Sequence, residues 1–161
     1  MMSNKFYISG TGFEDATKKM ADVISEHYDG ICDPVETIIL AVTRGGLYGA
    51  QLLSYIFNNR NINIVAAQSY SGTEKGELSI KLPDINFKQY KNIIVVDDIY
   101  DTGDTLESIR TQLEKNTNDD QNIIACATYN KKPNADVIFG EIINDKLWVV
   151  FPWDRFDSEE A

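Results

Sequence analysis

Ile93-Ile94-Val95-Val96-Asp97-Asp98-Ile99-Tyr100-Asp101-Thr102-Gly103-Asp104-Thr105 decides how the rest of the chain folds. Four consecutive apolar residues, too few for a helix and followed by acids, read as a strand buried on both faces of a parallel sheet. The carboxyl end of such a strand opens on the ligand crevice of an α/β sheet. Asp97 and Asp98 are delivered there. Both accept hydrogen bonds, which suits two neighbouring sugar hydroxyls, contacted directly or through a divalent ion that prefers oxygen ligands. Beyond them Leu106, Ile109 and Leu113 recur at helical spacing, so a helix starts at the turn over 101–105. The free N–H groups at that start, the hydroxyls of Thr102 and Thr105, and Gly103, which permits close approach of the backbone, make a nest for a phosphate. Asp101 lies beside the nest, uncommitted.

Outward from this stretch the same alternation repeats. Residues 37–42, 62–67 and 123–127 read as further strands, and 47–57 as a helix between two of them. Phe13, Ala16, Met20, Val23 and Ile24 share one stripe of an earlier amphipathic helix. Strands alternating with helices predict an α/β fold whose parallel sheet is connected by right-handed crossovers. His27, the only histidine, falls at a helix end with no second histidine or cysteine to pair it. Between 69 and 90 the pattern breaks into Ser-Tyr-Ser-Gly-Thr-Glu-Lys-Gly, then the alternating Leu78, Ile80 and Leu82, then Pro83-Asp84. This predicts a hairpin-like excursion that serves as a flexible lid, opening at Ser69 and Tyr70. Two short strand-like pieces, 137–143 and 147–151, are expected to form a small hood over the crevice. The whole, 1–161, reads as one domain, with a core over about 1–130 and a hood over about 131–156.

The turn Thr43-Arg44-Gly45-Gly46 stands at the carboxyl end of the strand over 37–42 and leads into a helix. Paired with the first motif, its amides and guanidinium suit a diphosphate.

Composition restricts what such a site serves. With 15 Lys plus Arg against 25 Asp plus Glu, the net charge is -10, which argues against a general binder of nucleic acid or of membrane surfaces. Two cysteines, Cys32 and Cys126, are too few for a disulfide framework, and Cys126 sits in an apolar run where a buried thiol is expected. No stretch approaches the roughly 20 apolar residues of a membrane span, and Met-Met-Ser-Asn-Lys-Phe holds no apolar signal core. A cytoplasmic location is expected. Asp-Thr-Gly also marks aspartic proteases, but there it continues into β structure and faces a second carboxylate. Here a helical pattern follows, and the chain has no second Asp-Thr-Gly.

The segment over 93–105, a hydrophobic run followed by two acids, two further residues and Asp-Thr-Gly-x-Thr, resembles the phosphoribosyl-pyrophosphate motif of the type I phosphoribosyltransferases. The resemblance implies that Asp97, Asp98, Asp101, Thr102, Gly103, Asp104 and Thr105, with Thr43, Arg44 and Gly45 of the glycine turn, bind phosphoribosyl pyrophosphate. It implies a cis peptide in that turn, Asp101 as the catalytic base, and Mg²⁺ held through Asp98, Asp97 and Asp154. Leu147-Trp148-Val149-Val150-Phe151-Pro152-Trp153-Asp154 resembles the hood of the xanthine-guanine enzymes, so that Trp148 would stack on a purine and Val149 would supply backbone polar groups. The lysine that meets the purine 6-oxo group precedes a proline in that family, which points to Lys132, with Lys131 open by a one-residue shift. Ser69-Tyr70 is similar to the pair that opens the catalytic loop of purine enzymes. Two positions depart: Val150 stands where bacterial xanthine-guanine enzymes carry an acid, and Asp104 where relatives often carry glycine or lysine. The implied activity is transfer of a phosphoribosyl group to N9 of a 6-oxopurine by a homo-oligomer, a dimer or tetramer. A phosphoribosyltransferase for another nucleobase, or a non-catalytic sensor of the same sugar phosphate, would use the same residues.

Overall fold

The computed structural model describes residues 4–69 and 76–157. Its elements run β1 (Lys5–Tyr7), α1 (Gly10–His27), β2 (Thr37–Thr43), α2 (Gly46–Ile56), β3 (Ile62–Ser69), β4 (Leu78–Lys81), β5 (Asn92–Tyr100), α3 (Asp104–Glu114), β6 (Asn122–Asn130), β7 (Ile138–Ile142) and β8 (Trp148–Val150). Six strands form the main sheet in the order β4-β3-β2-β5-β6-β7. All its neighbours pair parallel except β3 with β4. This is the α/β fold that the alternation of strands and helices predicts.

The unbroken apolar runs are explained by their two faces. In a strand, neighbouring side chains point to opposite sides. Ile39 and Ala41 of β2 and Ile94 and Val96 of β5 therefore pack with Met20, Ala21 and Ile24 of α1 and Ala50 and Leu53 of α2. Ile38, Leu40, Val42, Ile93 and Val95 pack the other way, with Leu106, Ile109 and Leu113 of α3. Helices thus cover both faces, and the crossovers leave the carboxyl ends of β2 and β5 side by side. Ser9 caps α1 by accepting from the Gly12 N–H at 3.0 Å. At the far end of α1, His27 Nδ1 lies 2.8 Å from the Val23 carbonyl oxygen, a helix-end role as its position implies.

Three features differ from the sequence expectation. β5 does not stop at Val96 but continues to Tyr100, because β6 runs beside it in register as far as Tyr100 opposite Asn130. Residues around 138–142 do not join the hood: β7 is the last strand of the main sheet, paired with β6. α1 crosses it so closely that a Cβ at Gly140 would overlap the Ala16 carbonyl. The remaining hood strand, β8, pairs instead with β1, Lys5 opposite Trp148 and Tyr7 opposite Val150. The excursion after β3 does return as a hairpin, Ser69 opposite Leu78 and Ala66 opposite Lys81. Tyr70 and the rest of the proposed lid tip lie outside the described residues.

The amino ends of the strands are tied by buried amides. Asn92 Nδ2 donates to the Asp29 carbonyl at 2.7 Å and to Thr37 Oγ1 at 3.1 Å, and Asn92 Oδ1 accepts from Asn122 Nδ2 at 2.8 Å. An Asn92→Ala change strands several of these groups, and each buried unsatisfied polar group costs about 1–3 kcal/mol. Urea unfolding is expected to show a loss of about 2–3 kcal/mol, with turnover at 25 °C unchanged because the carboxyl-end site is remote.

Candidate active site

The site is assembled at the carboxyl ends of β2 and β5. Asp97 and Asp98 lie in the second half of β5, both partly buried, and the Asp98 N–H donates to Asp97 Oδ1 at 2.9 Å. Burial pushes the Asp97 carboxyl up to about 6. It raises Asp98 as well, with the neighbouring Asp97 charge and then that of Asp154 adding to the effect. Two crowded, desolvated carboxyls of this kind gain from a nearby cation. As all-oxygen donors they suit a hard divalent ion that completes its shell with water and substrate oxygens. Among the described residues no cluster of three or more metal-ligating side chains exists, so protein ligands alone would not enclose such an ion.

Opposite Asp98 lies the glycine turn. The Thr43–Arg44 peptide is cis, as the resemblance implies. Gly45 caps α2 and abuts Asp98 so tightly that a Cβ there would overlap the carboxylate. Arg44 is exposed and makes no ion pair among the described residues, so its guanidinium is uncommitted. Arg44, Gly45, Asp98 and Asp154 line a cleft of about 790 Å³ together with Tyr48 and Trp153. Asp154 Oδ2 accepts from the Phe151 N–H at 2.7 Å, which fixes the acid at the cleft edge.

The turn after β5 forms a second hollow of about 200 Å³, lined by Asp97, Asp98, Asp101, Thr102, Gly103, Asp104 and Thr105 among others. Gly103 has φ +91° and stands as the N-cap of α3 without a side chain to consume the first amides, which stay available for an oxyanion. Thr102 Oγ1 accepts from the Asp104 N–H at a long 3.4 Å. Asp104 itself is exposed in the first helical turn, where its charge would oppose any phosphate received by these amides. A charge at a helix end is worth about 0.3–1 kcal/mol, so Asp104→Asn is expected to lower the KM for a phosphoribosyl substrate by about two- to five-fold. Steady-state kinetics at low salt measure it, and an unchanged or higher KM would remove Asp104 from the phosphate field.

Lys131 and Lys132 part company. Lys131 is buried, its N–H donating to the Tyr100 carbonyl at 3.0 Å and its ammonium 3.4 Å from Asp101 Oδ2. Lys132 is exposed, and its N–H and carbonyl are both engaged by the Asn130 side chain. Trp148 is 52% exposed on β8, whereas Val149 packs against the cluster of Phe13, Tyr129 and Phe151. Ser69 ends β3.

Two lining residues have no role assigned from the sequence. Tyr48 stacks on Phe13 at 5.4 Å and donates to Glu14 Oε1 at 2.6 Å, while Trp153 stacks on Phe151 at 4.8 Å. The one sequence signal for Tyr48 is its proximity to the glycine turn, whereas Trp153 stands in the Pro-Trp-Asp that ends the hood segment.

An acid pair, a glycine turn and an amide nest at adjacent strand ends have the chemistry to receive a phosphorylated sugar. Comparison with known proteins agrees: the phosphoribosyl transferase domain family matches residues 10–155, and the chain belongs to that family. The xanthine-guanine phosphoribosyltransferase of Idiomarina loihiensis is 29% identical over 158 residues, covering 94% of this chain and 88% of the relative. That of Gluconobacter oxydans is 34% identical over 120 residues, covering 72% of this chain and 67% of the relative. Among solved structures, a purine phosphoribosyltransferase from Pyrococcus horikoshii superposes with TM-score 0.72 at 25% identity over 94% of each chain. The Helicobacter pylori xanthine-guanine-hypoxanthine phosphoribosyltransferase, at 23% identity and TM-score 0.75 over 98% of this chain and 100% of the other, shares the fold. Among the described residues no helix is long and apolar enough to cross a membrane.

Proposed function

We propose that the protein transfers the phosphoribosyl group of phosphoribosyl pyrophosphate to N9 of a 6-oxopurine, releasing pyrophosphate, in purine salvage. The observation that supports it best is that the cleft holding Arg44 and Gly45 and the hollow of the 101–105 nest are both lined by Asp98, with Asp97 in the second. The curated relatives are named for the same chemistry.

In this reading the amides over 102–105 and the Thr102 and Thr105 hydroxyls hold the 5-phosphate, and Asp97 and Asp98 orient the ribose hydroxyls. Bond breaking at C1 gives a transition state of oxocarbenium character, with charge growing on the leaving diphosphate. Arg44 and the amides at Gly45 meet that charge where it develops. Mg²⁺, held through Asp98 and Asp97 with Asp154 at the far edge, would neutralise the diphosphate further. Trp148 stacks on the base and Val149 offers it backbone polar groups. Asp101 accepts the proton from the purine ring as N9 bonds to C1.

Between the two lysines, burial and the contact with Asp101 favour Lys131 as the partner of the 6-oxo group. Lys131→Ala is expected to raise the KM for the purine by about tenfold, the value of one lost charge-assisted hydrogen bond, with Lys132→Ala near wild type. The reverse ranking would return the role to Lys132. The function itself is tested by incubating the protein with phosphoribosyl pyrophosphate, Mg²⁺ and, separately, guanine, xanthine, hypoxanthine, adenine and uracil while following pyrophosphate release. Release with the 6-oxopurines is expected. Release with another base alone would reassign the substrate, and binding of the sugar phosphate without release would make the protein a sensor. A homo-oligomer and a cytoplasmic setting belong to the same proposal. α2 and β3 hold no Asp, Glu, Lys, Arg or His and expose Leu47, Tyr55, Ile62 and Ile64, a face uncharged at neutral pH on which two copies of a chain of net charge -10 can meet. Sedimentation equilibrium reads the assembly.

A further inference from the structure

Tyr100, the last residue of β5, fills a place in the motif to which the sequence assigns no role, yet its phenol reaches the turn that follows at Gly103. Its ring is buried at 7% exposure among Leu106, Ile109 and their neighbours. The phenol end lies against Gly103: a Cβ on that glycine would overlap the Tyr100 hydroxyl. The hydroxyl donates to Glu107 Oε1 at 3.3 Å, one turn into α3, and the Tyr100 carbonyl accepts from Lys131. Burial first, then the Glu107 charge and its hydrogen bond, pushes the phenol above its ordinary range, so it remains a donor.

We propose that Tyr100 is a positioning residue for the phosphate loop: its ring packs against the left-handed turn at Gly103, and its bond to Glu107 locks the ring to the first turn of α3. This rests on reading 101–105 as the phosphate site. Amides binding an oxyanion must point at one spot, and a loop held only by the long Thr102–Asp104 contact would spread them. The bond also holds one Glu107 oxygen on the phenol, so that this acid, unlike Asp104 beside it in the first turn of α3, is not left free to face the phosphate.

Tyr100→Phe keeps the ring and deletes only the hydroxyl, so core packing is preserved. It is expected to raise the KM for phosphoribosyl pyrophosphate about fivefold, with kcat and the KM for the purine within twofold of wild type. Glu107→Ala should reproduce that pattern. Glu107→Gln, which keeps an acceptor for the phenol, should restore the wild-type KM or fall below it. The double variant Tyr100→Phe/Glu107→Ala should be no worse than either single change, since both remove one bond. A wild-type KM in Tyr100→Phe, additive losses in the double variant, or a fall confined to kcat would each overturn the proposal. Calorimetric titration with ribose 5-phosphate reads the same loop without turnover and should show the same fivefold weakening in Tyr100→Phe. If the wild type binds ribose 5-phosphate but transfers no phosphoribosyl group, the enzymatic reading fails while this titration still decides the role of Tyr100.

Discussion

Replacing Asp101 by alanine is expected to lower kcat by about 10²–10⁴-fold while the KM for either substrate moves by no more than about threefold. The carboxylate lines the hollow of the 101–105 turn and is 57% exposed on its side chain, whereas the neighbouring Tyr100 is buried. It contributes little packing, so its removal leaves the nest intact. Under the proposed function it would supply an acceptor for a proton that leaves the purine ring only as the new bond forms, and an interaction made only then appears in kcat rather than in KM. Alanine also strips Lys131 of its carboxylate partner, so Asp101→Asn is the sharper variant: it keeps a polar oxygen for the ammonium and cannot take a proton. Both variants should lose turnover alike. If Asp101→Asn retains full pyrophosphate release in a single-turnover assay, the residue is an orienter of Lys131 and the base lies elsewhere.

The phosphate turn was legible because each of its parts has a local cause. The strand shows as an apolar run, the turn as Asp-Thr-Gly and the helix as Leu106, Ile109 and Leu113, and all three lie within 21 consecutive residues. The hood was not legible, for two reasons. Residues 138–142 carry a strand pattern, but the pattern does not say which sheet receives the strand. The informative residue was Gly140, since a glycine inside a strand marks close approach of another backbone, here the Ala16 carbonyl of α1. β8 pairs with Lys5–Tyr7, a three-residue strand exposed along its whole length and nearly the full chain away, so neither periodicity nor burial marks it. Lys131 and Lys132 were separated by the Asn130 side chain, which binds both backbone groups of Lys132 and turns that residue outward, a contact that no spacing rule encodes. Tyr100 escaped because an aromatic at a strand end is the ordinary signature of core, and its second task depends on the left-handed turn beneath it.

The glycine turn offers the other large effect, and it separates two adjacent residues by what each would strike. A methyl group on Gly45 would overlap the Asp98 carboxylate, the far end of a side chain that can rotate away. A methyl group on Gly46 would overlap the Val96 carbonyl and press on the Asp97 Cα at 3.2 Å, both backbone in a buried strand that cannot give. Gly45→Ala is therefore expected to fold with a melting temperature within about 3 °C of wild type, because only one side chain moves. Its kcat/KM should nevertheless fall at least about 100-fold, since the displaced Asp98 no longer addresses the ribose or an ion beside it. Gly46→Ala should instead lose about 1–3 kcal/mol of stability, the usual cost of overpacking, and its residual activity should follow the folded fraction. Scanning calorimetry and pyrophosphate release on the same samples distinguish the two. A Gly45→Ala protein with wild-type kcat/KM would show that Asp98 tolerates displacement, and the close seating of the glycine turn against the acid pair would then have no catalytic purpose.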